Sequence, residues 1–366
     1  MNSVLKYIKH LFSPLKETTV DNIKWKELLT ADGLLQDLID NEKIPGLAIT
    51  VLKDGKKHFQ KGYGYANLET KTLVHPQKTV FRIASVSKPV AATALAHMVV
   101  DGLIDLDTSF YEYVSYYPKK KWDFTIRQLA SHTAGIRGYK GAEYGLSKPY
   151  SIKESINIFK DDALLFEPGT DYLYNSFDWV LISLAMQEVS GIPFEEYVQE
   201  KVLIPLGMKN TFAPEGYKKS FLAEREIYFS EFYSKGRLDF REAIPVNNYY
   251  KLAAGGYLST SEDIAKFGQA YLNGEILNEK VLSPFLTSEK INGKPTHYGL
   301  GWQVSEDKQG RPYFGHIGNG VGGYSNFFVY PNEQMVFSIL TNCTNPNIQE
   351  ALDAVVDSFI NNTSLS

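Results

Sequence analysis

One cysteine, Cys343, stands in the 366 residues, so an internal disulfide is excluded. It follows the apolar run Met335 to Leu340, which predicts buried packing rather than reactivity. No stretch approaches the roughly 20 apolar residues of a transmembrane helix. Neither sign of charge is in excess. The 38 Lys and Arg against 42 Asp and Glu leave a net charge of −4, which gives no electrostatic reason to bind nucleic acid. His-Glu-x-x-His is missing and one cysteine makes no thiolate cluster, so neither zinc nor another cofactor is expected. Repeats and low-complexity linkers are also lacking. Lys6, Lys9 and His10 break up the N-terminal segment, so a secretory signal is not expected and the default location is cytoplasmic. Val4, Leu5, Ile8, Leu11 and Phe12 would share one helical face, which predicts no more than weak membrane-surface contact through residues 1–13.

What is present is an ordinary globular composition, 43% hydrophobic and 22% charged, in a chain longer than one usual domain. The 24 Tyr and 21 Phe are enough to line a sizeable cleft. Leu28 to Asn41 has helical periodicity. Leu47 to Leu52 and His58 to Tyr65 read as strands joined by the hairpin turn Lys53-Asp54-Gly55-Lys56. From Asp101 to Asn248 helical patterns dominate, clearest at 126–131, 152–159, 179–189 and 194–202. Ser259 to Glu262 reads as a capping box that opens a helix through Tyr271. Strand character returns at 301–304, 313–316, 324–330 and 336–340, and a helix over 348–360 closes the chain. Strands at both ends predict an α/β (α+β) fold, an antiparallel sheet flanked by helices with an inserted mainly helical lobe. Residues 20–100 and 250–366 would form the discontinuous sheet domain, 101–249 the helical lobe and 1–19 a tail. A cleft between the lobes is the natural place for a site.

Within this frame Phe81-Arg82-Ile83-Ala84-Ser85-Val86-Ser87-Lys88 carries the chemistry. A short extended run leads into Pro89, tolerated in a first helical turn, and then into the apolar stretch Val90 to Val100. Ser85 and Lys88, three residues apart, would share one face, so the amine can approach the hydroxyl. A helix start would aim free N–H groups at charge forming on Ser85. Acyl transfer needs that combination of an activated oxygen, a proton acceptor and an oxyanion site. Ser-x-x-Lys occurs four times, from Ser3, Ser13, Ser85 and Ser305. Only the Ser85 copy has a strand before it and a buried helix after it.

Two further segments could complete the constellation. Glu167 to Ser176 is a turn followed by a polar-aromatic loop holding Tyr172 and Tyr174. A tyrosine is a poor base unless a cation favours its phenolate, and Lys88 could do so. Residues alone leave Tyr174 balanced between that role and packing in a cleft wall. Gly315-His316-Ile317-Gly318-Asn319-Gly320 follows a strand closely enough for a ligand or another backbone to approach. An N–H after Gly318 could be a second oxyanion donor, and a plain glycine-rich hairpin explains the segment equally well.

In order, Ser-x-x-Lys, the Tyr-x-Ser loop and His-x-Gly resemble the serine β-lactamase and penicillin-binding superfamily, in its class C, carboxypeptidase and esterase branch. Thr125 to Ile136 looks like that branch's "LLSHTSGI" segment, and Leu252 to Thr260 like its "AAGGLxST" segment. The resemblance covers roughly residues 30 to 345. Within the branch, Ser131 to Tyr139, Asn157 to Tyr174 and the Tyr257 region look most like the mitochondrial serine β-lactamase-like proteins. The resemblance implies Ser85 as acylated nucleophile, Lys88 as its proton partner and Tyr174 as general base. The backbone N–H groups of Ser85 and Asn319 would form the oxyanion hole, with Ser176, His316 and Gly318 binding substrate. Two departures stand out. Ser176 replaces the class C Asn, and His316 replaces the lysine of Lys-Thr-Gly. The expected activity is hydrolysis of an ester, amide or short peptide bond in a small-molecule or peptide substrate. The alternatives are a true β-lactamase or D-Ala carboxypeptidase, and a scaffold that kept the fold and assembles into homo-oligomers or filaments.

Overall fold

The computed structural model describes residues 25–214, 222, 224–237 and 239–363. The N-terminal segments 1–13 and 1–19, with the Ser3 and Ser13 copies of Ser-x-x-Lys, lie outside the described residues. Helix α1 spans Trp25–Asp40 and is followed by strands β1 (Gly46–Lys53), β2 (Lys56–Asn67), β3 (Thr72–Leu73) and β4 (Thr79–Arg82). Helix α2 (Ser87–Val100) follows, then short helices and loops up to α3 (Phe177–Ser190). Beyond it come β5 (Leu258–Ser259), α4 (Ser261–Leu272), β6 (Gln303–Glu306), β7 (Pro312–Gly320), β8 (Gly323–Tyr330), β9 (Met335–Thr341) and α5 (Gln349–Thr363).

The main sheet has seven strands in the order β6-β7-β8-β9-β1-β2-β3, all antiparallel. Its centre is the pairing of β1 with β9, where Leu47, Ile49 and Val51 face Thr341, Ile339 and Phe337 across the ladder. Successive side chains of β1 point to opposite faces. Leu47, Ile49 and Val51 pack with Leu35 of α1 and Val355 and Phe359 of α5. On the other face Ala48 joins Ile264 and Phe267 of α4, and Thr50 bonds Ser261 at 2.9 Å. Burial on both faces explains why β1 reads as a continuous apolar run. Helix α4 lies close to the sheet because Gly268 has no side chain. A Cβ there would come within 2.6 Å of Val336 and 2.8 Å of Phe327.

The two-lobe division is proposed on this topology, since the sheet draws strands only from 46–73 and 303–341. The middle segment departs from the helical expectation near its end. Tyr233–Lys235 pairs in parallel with Cys343–Thr344 and antiparallel with Phe240–Glu242, while Tyr228–Phe229 pairs in parallel with β4. Strands of two or three residues are too short to show a period of two. The capping box also shifts by one residue. Thr260 is the N-cap of α4 and accepts from Asp263 N at 3.3 Å, while Glu262 turns to Gln77 and Lys266. Cys343 is fully buried, and burial raises its thiol to about 11. No helix among the described residues is long and apolar enough to cross a membrane.

Candidate active site

Strand β4 ends at Arg82 and the chain enters a single 3-10 turn, Ala84–Val86, that carries Ser85 and runs into α2. Ala84 holds φ at +46°, a left-handed conformation that disfavours a side chain by about 1–2 kcal/mol. This sharp turn presents Ser85 beside the start of α2, where Pro89 sits in the first turn. Lys88, one residue earlier, is wholly buried.

Three side chains meet here. Tyr174 Oη donates to Ser85 Oγ at 2.8 Å, and Lys88 Nζ lies 2.7 Å from Tyr174 Oη and 3.3 Å from Ser85 Oγ. Lys88 Nζ also donates to the Ala254 carbonyl at 2.7 Å. Tyr174 precedes α3 by three residues and keeps 39% of its surface exposed, so an incoming molecule can touch it. Tyr172 meets the site only through rings, with centroids 6.3 Å from His132 and 6.2 Å from Tyr298. The structure therefore brings together Ser85, Lys88 and Tyr174.

Electrostatics correct the phenolate expectation. Burial lowers Lys88 to about 7, with Asp178 pulling it up and Lys251 pushing it further down. Burial raises the Tyr174 hydroxyl above its ordinary value. Both shifts favour a neutral amine beside a protonated phenol, because the site penalises separated charges. Lys88 is thus the group that can take a proton near neutrality, and Tyr174 stands between it and Ser85.

Strand β7 forms the opposite wall. A Cβ on Gly318 would fall 2.3 Å from Ser325 Oγ, 2.5 Å from the Ile83 carbonyl and 3.1 Å from Ser85 N. Only glycine permits that approach. Gly318→Ala should destabilise the fold by about 1–3 kcal/mol and displace the Ser85 turn. Urea denaturation alongside serine-probe labelling checks this, and an unchanged midpoint with full labelling would refute it. The β6–β7 pairing stops at Gly315, leaving the edge from His316 to Gly320 unpaired by β6. Ile317 N points to that edge, donating to Gln303 Oε1 at 3.0 Å. Strand N–H groups two residues apart face the same edge, so Asn319 N–H does as well, one residue beyond the Gly318 that abuts Ser85 N.

His316, expected to bind substrate, has both ring nitrogens engaged within the protein. Its ring is 1% exposed, Nδ1 donates to the Ile317 carbonyl at 2.7 Å, and Nε2 lies 3.0 Å from Tyr298 Oη. Burial, with Lys88 nearby, lowers it to about 3, so it is neutral. Ser176 is half-buried and lies near enough to the Tyr139 hydroxyl to act on it. Ser305, the remaining Ser-x-x-Lys copy, lies in β6 and contacts His297 at 3.3 Å.

Sequence reasoning missed a network behind Tyr174. His132 Nδ1 lies 2.8 Å from Asp178 Oδ2, which also accepts from Asn175 Nδ2 at 2.6 Å. The His132 and Tyr174 ring centroids are 4.6 Å apart. Burial raises the Asp178 carboxyl and lowers the His132 imidazole. A buried Asp at the second position of an apolar helix is the one signal that could have revealed it.

The family model described as Beta-lactamase matches residues 31–359. This chain belongs to the β-lactamase family. Among similar members is the human "Serine beta-lactamase-like protein LACTB, mitochondrial", 29% identical over 82% of this chain and 71% of that protein. A "Beta-lactamase" of Escherichia coli K12 is 28% identical, over 73% of this chain and 68% of its own length. The fold is shared with D-amino acid amidase from Ochrobactrum anthropi SV3, with a TM-score of 0.80 at 21% identity over 93% of this chain and all of that one. It is also shared with an octameric penicillin-binding protein homologue from Pyrococcus abyssi, with a TM-score of 0.78 at 24% identity over 90% and 77%.

Proposed function

We propose that this β-lactamase-family serine hydrolase cleaves an ester, amide or short peptide bond through a Ser85 acyl-enzyme. The observation that carries the reading is the contact set of Ser85 Oγ, Tyr174 Oη and Lys88 Nζ at 2.7–3.3 Å. With the Tyr174 hydroxyl rotated toward the neutral Lys88 amine, Ser85 Oγ attacks the carbonyl carbon as its proton passes to Tyr174 and the Tyr174 proton passes to Lys88. Negative charge on the carbonyl oxygen is met by the N–H groups of Ser85 and Asn319. On collapse the bond to the leaving group breaks, and that group takes a proton back through Tyr174. Water repeats the sequence, freeing the acid and restoring Ser85. Gly318 keeps β7 against the Ser85 turn, Ser176 lies on the acyl side, and His316 supports the wall through Tyr298.

Intact-mass measurement after a fluorophosphonate should show one adduct, mapping to Ser85. An unmodified chain would favour the scaffold reading. Similarity to the octameric homologue supports a homo-oligomer, which sedimentation would show. Substrate preference follows from the two departures. Neutral His316 supplies no charge of its own to a β-lactam carboxylate, and Ser176 lacks an amide's paired donor and acceptor. p-Nitrophenyl butyrate should therefore show a higher kcat/KM than nitrocefin on the same preparation. Faster nitrocefin turnover would remove this basis for selectivity.

A further inference from the structure

Two cations stand beside the Ser85 site without a carboxylate partner among the described residues. Lys251 is 8% exposed, and its Nζ reaches the Tyr144 carbonyl at a long 3.3 Å. The rings of Tyr139, Tyr250 and Tyr144 surround that ammonium at 5.2, 5.6 and 5.7 Å. Aromatic faces stabilise a cation but accept few of its three N–H bonds. Glu143 acts on Tyr139 and Tyr250, yet Arg137 clamps both its oxygens, at 2.6 and 3.1 Å. Arg82, at the end of β4, donates to the Val321 carbonyl at 2.8 Å and stacks on Phe232 at 3.9 Å. Its charge acts on Lys251, and burial with that repulsion lowers Lys251 to about 8. Like charges held together with no counter-ion are unfavourable unless an anion joins them.

Position ties the pair to the chemistry. Lys251 precedes by three residues the Ala254 carbonyl that receives Lys88 Nζ. Tyr139, over which Lys251 sits, lies near Ser176, two residues after Tyr174. Arg82 precedes Ser85 by three residues. Lys251 thus lies over Tyr139 and close enough to Lys88 for its charge to act on that amine.

We propose that Lys251, assisted by Arg82, forms an anion subsite for a carboxylate carried on the acyl part of the substrate. The inference rests on the Ser85 hydrolase reading and narrows its substrate class to acyl groups with a second, anionic end. A carboxylate would take the N–H donors that the tyrosine cage leaves unfilled, a charge-assisted contact stronger than the carbonyl bond it supplements.

The test compares p-nitrophenyl hemiglutarate with the chain-matched p-nitrophenyl valerate, each corrected for spontaneous hydrolysis. The ratio of kcat/KM, charged over neutral, should exceed one and fall about tenfold or more in Lys251→Gln. Lys251→Arg, which keeps the charge, should retain most of the preference, and circular dichroism checks that both variants fold. An unchanged ratio in Lys251→Gln overturns the subsite even if both rates fall, since that pattern marks a residue that only tunes Lys88. Calorimetric titration with glutarate reads binding without chemistry. Heat from the native protein that vanishes in Lys251→Gln supports the subsite even if neither ester turns over, an outcome that would count against the hydrolase reading alone. No heat and no charged preference reject it.

Discussion

Ser85→Ala is expected to lower kcat by on the order of 10⁶-fold and to abolish labelling by a fluorophosphonate. The substitution removes one oxygen, whose side-chain partners among the described residues are Tyr174 and Lys88. Ser85 is half-buried, and alanine fits the same 3-10 turn, so the unfolding midpoint should move little. Ser305→Ala, in β6 at the remaining Ser-x-x-Lys copy, should leave labelling intact. Hydrolysis that persists in Ser85→Ala, or an adduct mapped elsewhere, would sink the nucleophile assignment.

The next largest effect belongs to Lys88 and Tyr174. Tyr174→Phe should lower the rate by about 10²–10⁴-fold, the usual contribution of a general acid–base group. Lys88→Met should be similarly damaging, and the double variant far less than multiplicative, because the proton passes through both. Tyr172→Phe should be mild, since Tyr172 meets the site only through its ring. The sign of the pH dependence follows from Lys88, which must be neutral to accept a proton. Its value is lowered to about 7, so kcat/KM should fall as pH drops below about 7 and level off above it. Tyrosinate absorbance at pH 8 should be the same in the native protein and Tyr174→Phe. A tyrosinate band that disappears with Tyr174 would restore the phenolate, and a limb unaffected by Lys88→Met would remove the lysine as base.

Local order carried much of this into the sequence. Ser85 and Lys88 are three residues apart, so one turn of backbone places them and no distant contact is needed. The hairpin over Lys53 to Lys56, the apolar helix after Pro89 and the long strands of β8 and β9 likewise follow from short-range pattern. Glycine at 318 was legible as a close approach, although what it approaches, the Ile83 carbonyl and Ser85 N, was not. Short strands at 228–242 escaped because two or three residues hold no period.

By itself the sequence determined the turn that carries Ser85, the family resemblance and the antiparallel sheet built from both ends of the chain. Tertiary structure alone decided which groups are charged. Lys88 loses its ordinary basicity because residues 166 positions away, at Ala254 and its neighbours, close over it, and Tyr174 keeps its proton for the same reason. Folding also turned His316 inward onto Tyr298, paired His132 with Asp178 across 46 residues, and left Lys251 among tyrosines with no acidic partner among the described residues. Proton affinity depends on burial and on neighbours distant along the chain, and neither is written in any local stretch of residues.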